Sequence, residues 1–280
     1  MAKEAAILIA DLHVNSTLGL CKPGIHHDDG GIYHLNKVQQ WLWQTWEECL
    51  DDIADLTTGY YKNLILPGDL IELDTKARSW QVISANPVVT IGHAIDILEP
   101  VVDSADETFV VRGTEAHTGK SAWGEEQIAR DFDTRPDPET GSHSWWHLRA
   151  EFGGVKFDIA HHANMGNLPW TYANAGNKLA ITTMYEYMEW GETPPDIVAR
   201  AHQHRFVDSG RTYDTRGIYL PAWQFKTAFL HRIGKANARP SIGALVFLCD
   251  DGEYTWHDLR YKPQRSKAWR SMQESLPNMN

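Results

Sequence analysis

Five short apolar runs in this 280-residue chain each lead into a side chain able to hold a metal ion. Ala6-Ile7-Leu8-Ile9-Ala10 leads into Asp11-Leu12-His13, Leu64-Ile65-Leu66 into Gly68-Asp69, and Phe109-Val110-Val111 into Gly113-Thr114-Glu115-Ala116-His117. Val155 to Ile159 leads into His161-His162, and Ile197-Val198-Ala199 into His202-Gln203-His204. Runs of this length, bounded by turn residues, read as buried strands. In an open α/β sheet, ligands gather beyond the carboxyl ends of the strands, so side chains far apart in sequence converge at one rim. The pattern predicts an α/β fold carrying one polynuclear metal site. No single cluster establishes this. With 14 histidines in 280 residues, a His-x-His pair arises by chance about 0.7 times, and a lone strand-end histidine is ordinarily a hydrogen-bonded structural residue. The weight lies in the joint order.

That order, from residue 6 to residue 204, resembles the calcineurin-like metallophosphoesterase superfamily, whose pattern is D-x-H, G-D, G-N-H-[DE], H and G-H-x-H. The resemblance implies a two-sheet α/β/β/α sandwich and a pair of divalent cations. Carried over position by position, it implies one metal held by Asp11, His13 and His204, a second held by His161 and His202, and Asp69 bridging them. The third motif departs from the pattern. Gly113-Thr114-Glu115-Ala116-His117 lacks the usual Asn, and Glu115 is the candidate replacement, its alternative being a helix cap or a partner for Arg112. His117, displaced along the chain, is the candidate proton donor to the leaving group. His161 is preferred to its neighbour His162 as the ligand. The last motif opens with Ala201 in place of Gly, a difference of one methyl group.

A donor set of carboxylates and imidazoles without thiolate suits Mn²⁺ first, with Fe, Zn or Ni as alternatives. Two such ions about 3.5–4 Å apart would acidify a water and neutralise charge on a phosphoryl group. The implied activity is metal-dependent hydrolysis of a phosphate ester, with a phosphodiester of nucleotide or nucleic-acid type favoured. An anionic Glu115 in the site would lower its pull on a dianionic monoester more than on a monoanionic diester. The alternatives are a phosphomonoesterase and a non-catalytic metal-binding scaffold for a protein partner.

Composition narrows the remaining classes. A formal charge of −11 makes the whole surface a poor sequence-independent duplex binder, since such binding rests on Lys and Arg neutralising phosphates. Bound cations would reverse the field locally. Cys21, Cys49 and Cys249 are odd in number and widely spaced, which predicts free thiols in a reducing compartment. A first strand starting by Ala6 leaves no room for a signal peptide ahead of it, and no apolar run is long enough to span a bilayer. The expectation is a cytoplasmic protein with no membrane partner, its oligomeric state left open.

Between the ligand-bearing runs, apolar residues recur at three- and four-residue steps. Val38 to Leu56, ending towards Gly59, Val88 to Val102 after Pro87, and Leu179 to Met188, ending near Gly191, are predicted helices. Two hairpins follow from Gly153-Gly154, between runs at 146–152 and 155–159, and from Asp250-Asp251-Gly252, between runs at 244–248 and 254–259. A single domain over residues 1–280 is expected. A loop over 21–34, rich in His and Asp, is a candidate rim of the site, and a second loop, 163–177, carries Asn164, Asn167, Asn174 and Asn177. Lys226, Arg232, Lys235 and Arg239, and a flexible basic tail from about residue 262 with Arg265, Lys267 and Arg270, are candidate contacts for a single nucleic-acid strand. Trp223 or Trp269 would supply base stacking there.

Overall fold

Residues in the first strand alternate between two cores, so the sheet they build must be covered on both faces. Ile7 and Ile9 pack with helical side chains, whereas Ala6, Leu8 and Ala10 pack against a second sheet. The computed structural model describes residues 3–27, 29–75, 81–163, 171–227 and 239–263. In chain order it contains β1 (Glu4–Leu8), α1 (Lys37–Leu56), β2 (Tyr61–Pro67), α2 (Pro87–Asp103), β3 (Glu107–Val111), α3 (Glu115–Thr118), α4 (Trp123–Asp131) and β4 (Ser144–Trp145). There follow β5 (Leu148–Phe152), β6 (Val155–Ala160), α5 (Tyr172–Glu189), β7 (Ile197–Arg200), β8 (Val207–Asp208), β9 (Arg216–Tyr219), β10 (Ile242–Asp250) and β11 (Glu253–Tyr261).

One sheet has the order β11-β10-β1-β2-β3-β4 and the other β5-β6-β7-β9-β8. The strands that carry the ligand motifs are parallel within each sheet: β1, β2 and β3 in the first, β6 and β7 in the second. Their carboxyl ends therefore open at one rim. Helices α1, α2 and α4 cover the outer face of the first sheet through Trp46, Ile97 and Ile128, and α5 covers the second through Leu179. Between the sheets, the rings of Phe109, Phe152, Phe157 and Phe247 meet in succession at centroid separations of 5.5–5.7 Å, within the range where edge contacts add to burial. The architecture is an α/β/β/α sandwich.

Local chemistry explains the boundaries. Asn36 and Gln39 close a reciprocal capping box at the start of α1, and Asn86 with Pro87 starts α2. The two hairpin turns fall where expected, with Gly153 and Gly154 at φ 55° and 86°, and Asp251 and Gly252 at φ 52° and 83°. Such paired positive φ values match the twist of the flanking strands. Cys21, Cys49 and Cys249 are buried and unpaired, their thiols pushed up to about 12 by burial. Among the described residues no helix is long and apolar enough to cross a membrane.

Two expectations are corrected. Asn174 and Asn177 lie on α5, which begins at Tyr172, rather than in a loop. Trp223 is fully buried, edge-on to Trp46 at 5.0 Å, and offers no face to a base. The 21–34 segment folds on itself through a His26–Ile32 bridge and leans on α2, where His93 meets the His26 carbonyl. Among the described residues none of its side chains joins the metal-ligating groups. Asn164, Asn167, Arg232, Lys235, Arg265, Lys267, Trp269 and Arg270 lie outside the described residues.

Candidate metal centre

The loops that follow β1 and β2 run side by side beyond the sheet, tied by Asp11 N–H to the Gly68 carbonyl (3.0 Å) and His13 N–H to the Asp69 carbonyl (2.9 Å). On the other sheet, Ala201 N–H donates to the His161 carbonyl (2.9 Å). The two halves are joined where His202 N–H meets the Asp11 carboxylate at 3.1 and 3.2 Å. Asp69 and Thr114 approach each other because two glycines leave room. A side chain on Gly68, at φ 80°, would begin 2.6 Å from the Gly113 Cα, and one on Gly113 would begin 2.3 Å from the Asp69 nitrogen. The buried Glu125 carboxylate on α4 clamps this junction, accepting from Leu70 N–H (3.1 Å) and Gly113 N–H (2.5 Å). Burial and then Asp69 push the Glu125 carboxyl up to about 7.

Six of the seven predicted ligands come together. Asp11, His13 and His204 form one group, with His13 Nε2 3.1 Å from His204 Nε2 and His204 Nε2 3.5 Å from Asp11 Oδ1. Asp69 Oδ2 lies between that group and the next, 3.9 Å from His13 Nε2, 3.1 Å from His161 Nε2 and 3.8 Å from His202 Nδ1. His161, His162 and His202 form a further group, and Asp11, Asp69 and His161 another. His161 is buried whereas His162 is exposed. Ala201 packs its methyl into the inter-sheet core without positive φ.

Glu115 does not join them. It opens α3, is exposed, and its carboxylate accepts from Ser121 N–H at 2.8 Å. The residue before it takes the place at the cluster. Thr114 stays extended as the N-cap of α3, and its hydroxyl lies 3.1 Å from Asp69 Oδ2, 3.3 Å from His161 Nε2, 3.1 Å from His162 Nε2 and 3.1 Å from His202 Nδ1. A hydroxyl reaches where the charged side chain does not, because the helical turn starting at Glu115 carries it aside. His117 stands at the other end of the cluster, its ring 4.7 Å from that of His13. Glu72, which sequence reasoning missed, holds both: its Oε2 is 3.0 Å from His13 Nδ1 and 2.8 Å from His117 Nδ1. The signal for Glu72 was its place three residues beyond Asp69 on the same loop. Glu125 had no comparable signal.

The donor set fits cations. Neutral imidazoles facing a carboxylate or a carbonyl present N–H to it and a lone pair at the other nitrogen. His13 Nδ1 faces Glu72 and His161 Nδ1 faces the Pro67 carbonyl at 2.7 Å, so both direct Nε2 lone pairs into the cluster. Asp11 and Asp69 are 0% and 1% exposed, and two buried carboxylates demand compensating positive charge. In the metal-free chain protons supply it. Burial opposes the His161 imidazolium, yet Asp69 and Asp11 carry it up to about 10. Burial likewise resists ionisation of Asp11 and Asp69, yet His204 and His161 respectively draw them below the usual carboxylate range. Burial and then the neighbouring His161 push His162 down to about 4.

Comparison with known proteins gives likeness of fold. No family model and no curated protein matches the chain. Among solved structures it is similar to metallophosphoesterase from Sphaerobacter thermophilus, at 11% identity over 93% of this chain and 89% of that one, with a TM-score of 0.38. It is also similar to Vacuolar Protein Sorting 29 from Cryptosporidium parvum, at 13% identity over 94% and 100% of the two chains, TM-score 0.39. NAD nucleotidase from Haemophilus influenzae shows 9% identity over 92% of this chain and 49% of that one, TM-score 0.39. The fold itself is read from the chain's own topology, an α/β/β/α sandwich. Its two-sheet sandwich, with the motifs of β1, β2, β3, β6 and β7 at one rim, is the arrangement described above.

Proposed function

We propose that the chain is a binuclear metal-dependent phosphoric ester hydrolase acting on a phosphodiester, such as a nucleotide or nucleic-acid derivative. The observation that carries this reading is the gathering of Asp11, His13, Asp69, His161, His202 and His204 into overlapping groups whose ligand atoms lie within 4.8 Å of one another. Asp11, His13 and His204 would hold one ion, His161 and His202 the other, and Asp69 lies between them. Bound there, a pair of divalent cations supplies Lewis acidity that acidifies water and offsets phosphoryl charge. Mn²⁺ is the first ion to test, with Fe, Zn and Ni after it.

The chain's own groups divide the remaining work. Glu72 fixes the Nδ1 side of His117, which suits its ring to hold a proton at the leaving alkoxide. Thr114 places a neutral hydroxyl where the family pattern has an amide, so the polar contact at that position carries no added charge. Glu115 acts from outside the ligand set. It lines a cavity of about 440 Å³ beside the cluster together with Thr114 and His161. A carboxylate on that wall repels a dianionic monoester more than a monoanionic diester, which supports the diester reading.

The test is turnover of paired nitrophenyl monoester and diester substrates, beside single-stranded and duplex DNA, after metal removal and Mn²⁺ addition. Diester preference is expected. Monoester preference would replace the diester reading with a phosphomonoesterase, and bound metal without turnover on any substrate would leave a non-catalytic scaffold. The His117→Ala variant should bind metal normally and lose most activity on diesters with poor leaving groups.

A further inference from the structure

The cavity beside the cluster has one wall that the metal groups do not account for. Trp146, just ahead of β5, is 56% exposed, although burial of such a ring would otherwise be favourable. Its indole is held in place by Arg112, whose guanidinium carbon lies 4.6 Å from the ring centroid. Arg112 is itself fixed, its side chain only 11% exposed, with Nε donating to Ser144 Oγ at 2.8 Å and Nη2 to Ser142 Oγ at 3.2 Å and Glu126 Oε2 at 3.4 Å. Both residues line the same cavity as Thr114, His161 and His162. The ring is thus an aromatic surface, braced from one side, opening onto the space into which a substrate on the cluster must extend.

We infer that Trp146 is a stacking shelf for a planar heteroaromatic group, a nucleobase, borne on an ester substituent of the phosphate. The inference rests on the phosphoesterase reading for the position of the phosphate and adds to it the substrate class. Arg112 is a positioning residue: its cation over the ring and its bonds to Ser142 and Ser144 set the tilt of the indole before anything binds. A purely structural role explains the brace less well, because a surface ring that only filled space would turn its faces to apolar neighbours. Stacking of a base on such a ring is sequence-tolerant, because every base has a π-face, and strengthens binding roughly 5- to 150-fold.

Two measurements on the full chain test this. The first compares equilibrium binding of adenosine 5′-monophosphate and ribose 5-phosphate, which share the phosphate and sugar and differ in the base. The wild-type chain should bind the former roughly 5- to 150-fold more tightly. Trp146→Ala should abolish that ratio and Trp146→Phe should keep part of it, with circular dichroism confirming the fold. The second compares hydrolysis of nitrophenyl diesters whose other substituent is thymidine or methyl: Trp146→Ala should raise KM for the thymidine ester by a similar factor and leave the methyl ester unchanged. Equal binding of the two monophosphates by the wild type, or a ratio that survives in Trp146→Ala, would overturn the shelf. Absence of hydrolysis of both diesters, with the binding ratio present, would instead sink the phosphoesterase reading and leave the base-binding shelf standing.

Discussion

Replacing Glu72 tests the least legible part of the centre. Its carboxyl is held at about 2 against an ordinary 4.5, because attraction to His117 and His13 outweighs the cost of burial. That separation, at about 1.4 kcal/mol per pH unit, is roughly 3 kcal/mol of charge-dependent attraction shared by two imidazoles. The sign follows from the depression: the contribution is complete above about 4.5 and is lost as pH falls through about 2. At neutral pH the Glu72 carboxylate is therefore ionised and accepts from His13 Nδ1, the contact that keeps the His13 proton on Nδ1 and its lone pair on Nε2. A Gln at 72 can keep its amide oxygen near both Nδ1 atoms and loses only the charge. An Ala loses the contact, and nothing then fixes the tautomer. The expected order is a mild weakening of Mn²⁺ affinity in Glu72→Gln, about 3- to 10-fold, and a loss of about 10- to 100-fold in Glu72→Ala. Titration calorimetry on metal-stripped protein measures both affinity and stoichiometry. Wild-type affinity in Glu72→Ala would refute the reasoning. Stoichiometry guards against a different error: His13, Glu72 and His117 also lie close enough to ligate an ion themselves, and loss of one bound equivalent in Glu72→Ala would make Glu72 a ligand rather than a support.

Further outcomes follow from the same geometry. Glu115→Ala should leave Mn²⁺ content unchanged by elemental analysis, since its carboxylate is bonded to Ser121 N–H, and should narrow any diester-over-monoester preference. Stripping the metal should lower the melting temperature, and Mn²⁺ at about 100 times its Kd should restore roughly 2.7 kcal/mol; a melting curve insensitive to chelator would count against a metal centre. Asp158, on the outer side of the second sheet, pairs with His147 Nε2 at 2.8 Å and Arg200 Nη2 at 2.7 Å and accepts from Tyr187 at 2.9 Å. Burial opposes its ionisation, but His147 and Arg200 bring its carboxyl from 3.8 to about 2, a contribution of roughly 2 kcal/mol. Urea unfolding should show Asp158→Asn destabilised by at least that amount from pH 5 to 8, with the gap closing as pH drops below 4; a gap constant down to pH 3 would refute the linkage.

The strand ends were legible because each ligand follows a buried run, and the helices because α1, α2 and α5 are long enough for their apolar stripes to repeat. Helix α4 was not. It has nine residues, and only Ile128 and Ala129 among its apolar side chains enter the core. The third motif failed for a different reason: charge made Glu115 look like the ligand, whereas position depends on where the helical turn begins. Because Thr114 is still extended and Glu115 is already helical, the weaker donor faces the cluster. Trp146 was read as the start of a strand that begins at Leu148, which hid its exposure. Trp223 shows the converse error, since a tryptophan near basic residues suggests stacking but here fills the core behind Asp11.

Backbone conformation supplies a last argument about what the centre is for. Asp11, His13, Asp69, His202 and His204 have φ of 55°, 45°, 52°, 68° and 51°, left-handed values that L-residues avoid. Each costs about 1 kcal/mol or more, so together they consume roughly 5 kcal/mol, comparable with the lower end of a domain's net stability. Glycine would remove that cost at every one of these positions, and its absence there means the side chains are kept at the expense of the fold. His204 allows a clean test because it is partly exposed. His204→Gly and His204→Ala both delete the imidazole and differ mainly in tolerance of positive φ. In metal-free protein the Gly variant should be more stable than the Ala variant by about 1 kcal/mol, a difference of roughly 2 °C in melting temperature. Both should bind Mn²⁺ more weakly than the wild type by a similar factor. An Ala variant as stable as the Gly variant would show that the loop relaxes out of the left-handed region once the imidazole is gone, and the strain would then belong to the side-chain cluster rather than to the backbone.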